Sequence, residues 1–363
     1  MDRRALCEQI DNIITQFAFC GKIKSVKRYG NGHINDTFIC IAENGTKYIV
    51  QRINTDIFKN PDGLMNNIKL VTDHIRDKAA ARGGDIGREV MTVIPTADGR
   101  LYCTDINGSS WRAYLFVTDS LCLDRPRSAQ DSFLAAKAFG EFACLLADFD
   151  ASRLVEVIPD FHNTPKRYSA LMNAVRENKC ARAVSAEHEI KFARSREQFT
   201  HRLISSDLPM RVTHNDTKLN NLLLDRASGN VICIIDLDTV MAGCAVTDFG
   251  DYVRFCCSTA AEDEADLSKV DIDLALFERC AAGFIEGCGG NLTEQELRLL
   301  PDGAVMMTLE CGIRFLTDYL EGDTYFRTDY PEHNLVRCKN QFKLAERMEE
   351  NIGEMRAAVE KYL

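Results

Sequence analysis

Nowhere in these 363 residues does an apolar run approach the roughly 20 residues needed to cross a bilayer. The polar start, Met-Asp-Arg-Arg, lacks the apolar segment of a secretory signal. No internal repeat and no low-complexity linker interrupt the chain. Positive charge is in deficit: 44 Lys and Arg stand against 54 Asp and Glu, a net charge of −10. That balance argues against a general nucleic-acid binder, which would carry a basic stripe. Cysteine is abundant at 15, but the number is odd, and apart from Cys256-Cys257 the thiols are scattered without C-x-x-C spacing. Several, such as Cys144 and Cys233, sit in apolar runs where a thiol packs as a small hydrophobe. These features together predict a cytoplasmic protein without membrane or nucleic-acid partners. Its oligomeric state is not legible. Length and a 45% hydrophobic content suit a large core and two lobes.

The chemistry concentrates in one stretch. His214-x-Asp216-x-Lys218-x-x-Asn221 is followed by the apolar run Leu222 to Leu224, the turn composition Asp225-Arg-Ala-Ser-Gly-Asn230, and the β-branched run Val231 to Ile235, which ends at Asp236. Two such runs about a Gly/Asn/Ser turn predict a β-hairpin. In an antiparallel hairpin the start of one strand lies beside the end of the other, so Asn221 is expected next to Asp236. An amide oxygen beside a carboxylate suits Mg²⁺ that takes its remaining ligands from water and ATP. Asp216 falls on the loop entering the hairpin, where a base for an acceptor hydroxyl belongs. Lys218 can offset charge on a moving phosphoryl group. The layout is that of an ATP-dependent kinase of the protein-kinase-like type.

The predicted architecture is α+β and two-lobed. Residues 1–118 would form a small antiparallel β-sheet lobe with one helix, binding nucleotide. Residues 119–363 would form a larger, mainly helical lobe carrying the catalytic hairpin. Strands are expected over Ser25–Tyr29, Asp36–Ala42, Lys47–Ile53 and Ser110–Thr118, with Asn44-Gly45 as a hairpin turn. The loop Gly30-Asn-Gly32-His-Ile-Asn35 could cover the ATP phosphates through Gly30 and Gly32. Alternation along the third strand puts Val50 and Arg52 on one face, so Arg52 fits the cation on the α/β phosphates, ahead of Gln51. The helix that would supply a Glu partner for that cation reads Leu64-Met-Asn-Asn-Ile-Lys69 and offers only Asn66 and Asn67. Residues 119–124 are the expected hinge.

Helices are predicted at 128–148, 165–177, 185–203, 272–287, 302–321 and 335–361, the last two starting after Pro301 and Pro331. Asp248-Phe-Gly250 spells a kinase metal motif but lies twelve residues beyond Asp236, outside the hairpin. It is therefore not expected to be the metal site, and the resemblance to kinases of this type implies instead that Asp248 braces the catalytic loop. His214 and His162 are expected to be structural. Asp238 could touch the metal or cap the loop.

His214-Asn-Asp-Thr-Lys-Leu-Asn-Asn221 with Ile235-Asp-Leu-Asp238 resembles the aminoglycoside phosphotransferase and choline kinase superfamily. Gln51-Arg-Ile-Asn-Thr55, Phe58-Lys-Asn-Pro61, Pro159-Asp-Phe-His-Asn-Thr-Pro165 and Asp236-Leu-Asp-Thr-Val-Met241 with Asp248-Phe-Gly-Asp251 resemble the bacterial N-acetylhexosamine 1-kinases. That resemblance runs from about Tyr29 to about Tyr325. It implies ATP and a small sugar as substrates, with N-acetylglucosamine or N-acetylgalactosamine phosphorylated at the anomeric hydroxyl. It assigns Asp216 as base, Lys218 to phosphate, Asn221 and Asp236 to metal, and His33, Phe255, Arg314 and Tyr325 to the sugar. Ala242 departs from the proline often found after Val-Met. Choline, an aminoglycoside or an amino-acid hydroxyl is the alternative acceptor. A non-catalytic nucleotide-binding protein is a further alternative, favoured by the missing helix Glu and opposed by the intact Asp216, Lys218, Asn221 and Asp236.

Overall fold

The computed structural model describes residues 10–30 and 35–363, so Gly32 and His33 lie outside the described residues. Two compact units emerge. The first comprises Met1–Leu121, Ser152–Pro159 and Leu223–Met241, and the second Cys122–Ala151, Asp160–Leu222 and Ala242–Leu363. The expected cut near 119 falls close to the first boundary, but a single cut does not describe the grouping. The hairpin expected in the larger lobe belongs to the first unit.

In that unit β1 (Ile23–Arg28), β2 (Asp36–Ala42), β3 (Lys47–Arg52), β6 (Ser110–Leu115) and β4 (Val93–Ile94) form an antiparallel sheet in that order, and β5 (Cys103–Thr104) also pairs with β6. The Asn44-Gly45 turn closes the β2–β3 hairpin, with Gly45 at φ +88°, a conformation open to glycine at little cost. Phe38, Val50, Trp111 and Ala113 fill the core behind it. Helix α1 (Pro61–Ala81) starts where Asn60 accepts the Gly63 N–H at 3.0 Å and Pro61 presets the first turn.

Local contacts explain why the hairpin joins this unit. Strand β9 (Leu222–Asp225) pairs with β10 (Val231–Ile234) and with β7 (Ser120–Leu121), through Ser120↔Asp225 and Leu121↔Leu224. Arg88 binds the Asp225 carboxylate at 2.9 Å. Asn67 on α1 donates to Val155 O at 2.8 Å and to Val240 O at 3.0 Å, and accepts the Val155 N–H at 3.0 Å. The position examined for a helix carboxylate is thus occupied by an amide that fastens two remote segments.

The second unit is mainly helical, with α2 (Ala129–Leu145), α3 (Thr164–Glu177), α4 (Glu187–Arg194), α5 (Ala245–Cys256), α6 (Leu274–Gly287), α7 (Glu294–Glu321), α8 (His333–Glu350) and α9 (Ile352–Glu360). The helix expected over 185–203 is shorter, and the one expected over 335–361 breaks at Asn351. Pro301 does not precede a helix but lies inside α7. The reciprocal capping box of Thr293 and Glu296 starts α7 two turns earlier and outweighs the proline. Helices α5 and α7 cross at Gly250 and Gly303. A Cβ on Gly250 would lie 2.3 Å from Gly303 O, so no larger residue permits this approach. Among the described residues no helix is long and apolar enough to cross a membrane.

Candidate functional site

The catalytic loop of the second unit follows β8 (Arg211–Thr213) and is fastened to α5. The Asp248 carboxylate accepts the backbone N–H groups of His214 at 2.8 Å and Asn215 at 2.7 Å, and the Thr217 hydroxyl donates to Asp248 O at 2.6 Å. Asp251, one turn on, accepts the Thr217 N–H at 3.0 Å. These contacts hold Asn215 at φ +62°, a left-handed conformation that a non-glycine residue adopts at a cost. Burial raises the Asp248 pKa, though His214 and the two N–H donors pull it back. The Asp-Phe-Gly string thus holds the loop through its Asp, packs Phe249 against Phe277 and Phe284, and places its Gly at the helix crossing.

His214 is buried edge-on between Phe139 and Phe142, and its Nδ1 accepts the Asp216 N–H at 3.3 Å. Asp216 therefore projects from a loop fixed on both sides. Its carboxylate meets Lys218 Nζ at 2.7 Å and Asn221 Nδ2 at 3.1 Å, with 23% of the side chain exposed. Burial works to raise its pKa, but Lys218, His214 and Asn221 hold it below the usual carboxylate range. Burial likewise works against the Lys218 charge, which Asp216 more than restores, so both groups are ionised at neutral pH.

Asn221 Nδ2 also donates to Asp216 O at 2.8 Å. With the amide nitrogen committed, Oδ1 is the atom left to offer a cation. In the first unit Asp236 follows β10, is exposed, and stands at φ +60°. An amide oxygen and a carboxylate oxygen are each hard donors of the kind Mg²⁺ selects. Asp238 is buried and bound by Arg112 and Asn35. Arg52, at the end of β3, pairs with Asp36 on β2, its Nε at 3.0 Å. A strand carboxylate thus holds this cation, and no helix Glu is needed. Gly30 has φ +73° with open space at its Cβ position.

Phe255, Arg314 and Tyr325, the residues of the second unit that the resemblance implies for the acceptor, fall into two groups. Phe255 is 37% exposed, with Lys218 Nζ 5.7 Å and the Arg254 guanidinium 4.5 Å from its ring centre. Arg314, on α7, lies 5.1 Å, 5.9 Å and 5.5 Å from the rings of Phe161, Tyr325 and Phe326. It makes no hydrogen bond or ion pair among the described residues. Asp318 accepts the N–H groups of Thr324, Tyr325 and Phe326 at 2.8, 2.8 and 2.9 Å, which fixes the turn presenting Tyr325. Arg167 is pinned to Phe161 O at 3.0 Å. Burial, then the neighbouring Arg314, lowers its pKa.

Sequence reasoning missed Glu310. Buried on α7, it binds His162 Nδ1 at 2.8 Å and accepts the Thr164 hydroxyl at 2.5 Å, while His162 Nε2 faces Asn215 O at 3.3 Å. Both ring nitrogens face acceptors, so only the imidazolium satisfies both. Burial acts to lower the His162 pKa but Glu310 raises it overall. Glu310, pushed up by burial, is lowered overall by His162 and Thr164. Stability from the pair is complete below the ordinary histidine value of 6.5 and is lost as pH rises through the raised His162 pKa. At the acid end it holds above 4.5 and is lost as pH falls through the lowered Glu310 pKa. The melting temperature should therefore fall as the solution turns alkaline, and Glu310→Gln should remove that part of the slope. Equal slopes in thermal melts of both proteins across this range would refute the assignment.

The thiols are less scattered than their spacing suggested. Cys280 Sγ lies 3.6 Å from both Cys256 Sγ and Cys257 Sγ, all buried between α5 and α6. This is contact distance for packed sulfurs.

The family model described as "Phosphotransferase enzyme family" matches residues 25–281, well over half of the chain. Solved structures share the fold at low identity. An aminoglycoside phosphotransferase from Alicyclobacillus acidocaldarius has TM-score 0.61 and 12% identity, covering 97% of this chain and 96% of its own. Amicoumacin kinase, solved with AMP-PNP, Ca²⁺ and its acceptor, has TM-score 0.59 and 12% identity, with 97% and 94% covered. Choline kinase from Cryptosporidium parvum has TM-score 0.55 and 13% identity, with 93% and 92% covered. With residues 25–281 matched, this chain belongs to the phosphotransferase enzyme family.

Proposed function

We propose that this phosphotransferase moves the γ-phosphoryl group of ATP onto the anomeric hydroxyl of an N-acetylhexosamine, giving the sugar 1-phosphate and ADP. The observation that carries the choice of acceptor is Arg314, a guanidinium among three aromatic rings that makes no ion pair among the described residues and that Glu310, itself bound to His162 and Thr164, reaches only through space. Such a group donates hydrogen bonds to oxygens and repels ammonium groups. A cationic acceptor would instead need acidic groups or an aromatic cage of its own. Here the aromatics already surround a cation, and Arg167 adds a second. The acidic segment around residues 260–266 does not offer the missing charge. Glu262 is bound to Arg254, Glu264 to Lys269, and Asp266 to Ser268. A neutral acetamido sugar asks for donors to its oxygens and a ring to stack on, which Arg314, Phe255 and Tyr325 supply.

In the proposed reaction Asp216 orients the anomeric hydroxyl, whose oxygen attacks the γ-phosphorus in line. The bond from the γ-phosphorus to the β–γ bridging oxygen breaks, ADP leaves with that electron pair, and the hydroxyl proton passes to Asp216 and then to solvent. Lys218 stabilises the charge of the transferring group. Arg52 and the Gly30 loop would bind the ATP phosphates. Asn221 and Asp236 would hold Mg²⁺, which when bound neutralises phosphate charge.

The test is ADP release from MgATP with N-acetylglucosamine, N-acetylgalactosamine, glucose, galactose, choline, homoserine and kanamycin, using Asp216→Asn as the blank. Turnover should be confined to the acetamido sugars, with product phosphate stable to alkali and labile to acid. Arg314→Met should raise the sugar KM by about 10–100-fold, the loss of hydrogen bonds from a charged donor. Turnover of choline or kanamycin without the sugars would overturn the acceptor assignment. ATP binding with silence across the panel would revive the non-catalytic reading.

A further inference from the structure

A fully buried arginine lies outside the chemistry described so far. Arg112, on β6, has a side chain only 1% exposed, beyond reach of nucleotide or acceptor. Its Nη2 donates to Asp238 Oδ2 at 2.8 Å, and its Nη1 lies 2.5 Å from Asp238 Oδ1 in ion contact without hydrogen-bond geometry, against a carboxylate that is itself 6% exposed. The same guanidinium donates to Gln51 Oε1 from Nε at 3.1 Å and from Nη2 at 2.9 Å. Asn35, at the end of the glycine loop, donates to Asp238 Oδ2 at 2.8 Å and accepts the Asn54 N–H at 3.0 Å.

These contacts converge on one turn. Asp238 is the middle residue of the single 3₁₀ turn Leu237–Thr239, and Asp236, at φ +60°, is the residue from which that turn starts. Val240, just past the turn, is held from the other side by Asn67. A left-handed aspartate persists only where its surroundings over-determine it. A buried ion pair is a poor device for stability, because desolvation offsets much of its attraction, but it fixes geometry.

We propose that Arg112 is a positioning residue for the metal: through Asp238, which Asn35 also binds, it fixes the turn that presents Asp236, and through Gln51 it ties β3 to that turn. The buried Arg112–Asp238 pair joins nucleotide-binding strands to the metal carboxylate without touching either ligand. Loss of such outer partners of a metal ligand typically costs 10–100-fold in metal affinity.

The inference rests on Asp236 being a metal ligand, and the experiment separates the two claims. Mn²⁺ binding to the full chain, with saturating ADP, is followed by electron paramagnetic resonance. The proteins are the parent, Asp236→Ala, Arg112→Lys, Asp238→Asn and the double variant Arg112→Met/Asp238→Leu. ADP affinity without metal and the melting temperature are measured alongside. The double variant removes both charges together, an exchange that buried pairs tolerate, so it keeps the test decisive if the single variants fail to fold. Weaker Mn²⁺ binding by about 10–100-fold in the double variant, with ADP affinity unchanged, is expected. Loss in Asp236→Ala with parental binding in the double variant would overturn the positioning role alone. Parental binding in Asp236→Ala would overturn the ligand assignment and the inference with it.

Discussion

Asp216→Asn should lower kcat by on the order of 10²–10⁴ while leaving the melting temperature and the ATP KM close to the parental values. The substitution keeps the shape and one acceptor oxygen, and removes the charge and the second acceptor. That charge is secured in the parent, because Lys218 at 2.7 Å and Asn221 at 3.1 Å hold the carboxylate pKa down against burial. A carboxylate so stabilised is a weak base and would not strip a hydroxyl before attack. It need not, since the transition state of phosphoryl transfer is loose and the nucleophile keeps its proton until late. Orientation of the hydroxyl and late acceptance of its proton are what remain for Asp216. The pH–rate profile should accordingly show no ionisation of Asp216 above its ordinary value of 3.8. Steady-state kinetics at saturating ATP decide the matter, and near-normal turnover by the Asn variant would sink the assignment.

Asp248→Ala should destabilise the protein and slow it as well. Two backbone N–H groups, of His214 and Asn215, lose their acceptor inside the protein. At about 1–3 kcal/mol for each buried group left unsatisfied, the pair costs about 2–6 kcal/mol. Asn215 loses the contact that supports its left-handed backbone, so Asp216 shifts. A displacement of about 1 Å costs on the order of 10² in rate. Asp248→Asn, which keeps one acceptor but turns an amide N–H₂ toward the second donor, should fall between parent and Ala in both measures. Thermal melts and kcat read together test this. If Asp248→Ala melts and turns over like the parent, the loop is held by other contacts.

The two residues differ in how visible they are along the chain. Asp216, Lys218 and Asn221 fall within six positions on one loop, and the hairpin that leads to Asp236 is announced by its turn residues. Local spacing and turn chemistry suffice there because every contact is short-range. The end of the hairpin at Asp236 set Asp248 aside as the metal site, and only the family resemblance implied that it braces the loop. Its contacts to His214 and Asn215 span 34 and 33 positions. Arg112 and Asp238, 126 positions apart, gave no such signal. An arginine in an apolar strand reads as an exposed charge until its partner is known. Glu310 was hidden in the same way, as one acidic residue within a long helix whose partners His162 and Thr164 lie about 150 positions earlier. Pro301 misled because a proline is a stronger local signal than a capping box that begins eight residues before it.

The amino-acid order alone therefore established the class of chemistry, the antiparallel strands of the first unit and the loop that carries Asp216, since these depend on periodicity, turns and spacing over a few residues. Tertiary structure alone decided which carboxylate holds Arg52, what Asn67 and Asp238 do, and how the hairpin groups with the first unit. Each of those outcomes turns on desolvation and on pairing between segments far apart in the chain. A residue's charge becomes a constraint only once burial removes water as the alternative partner.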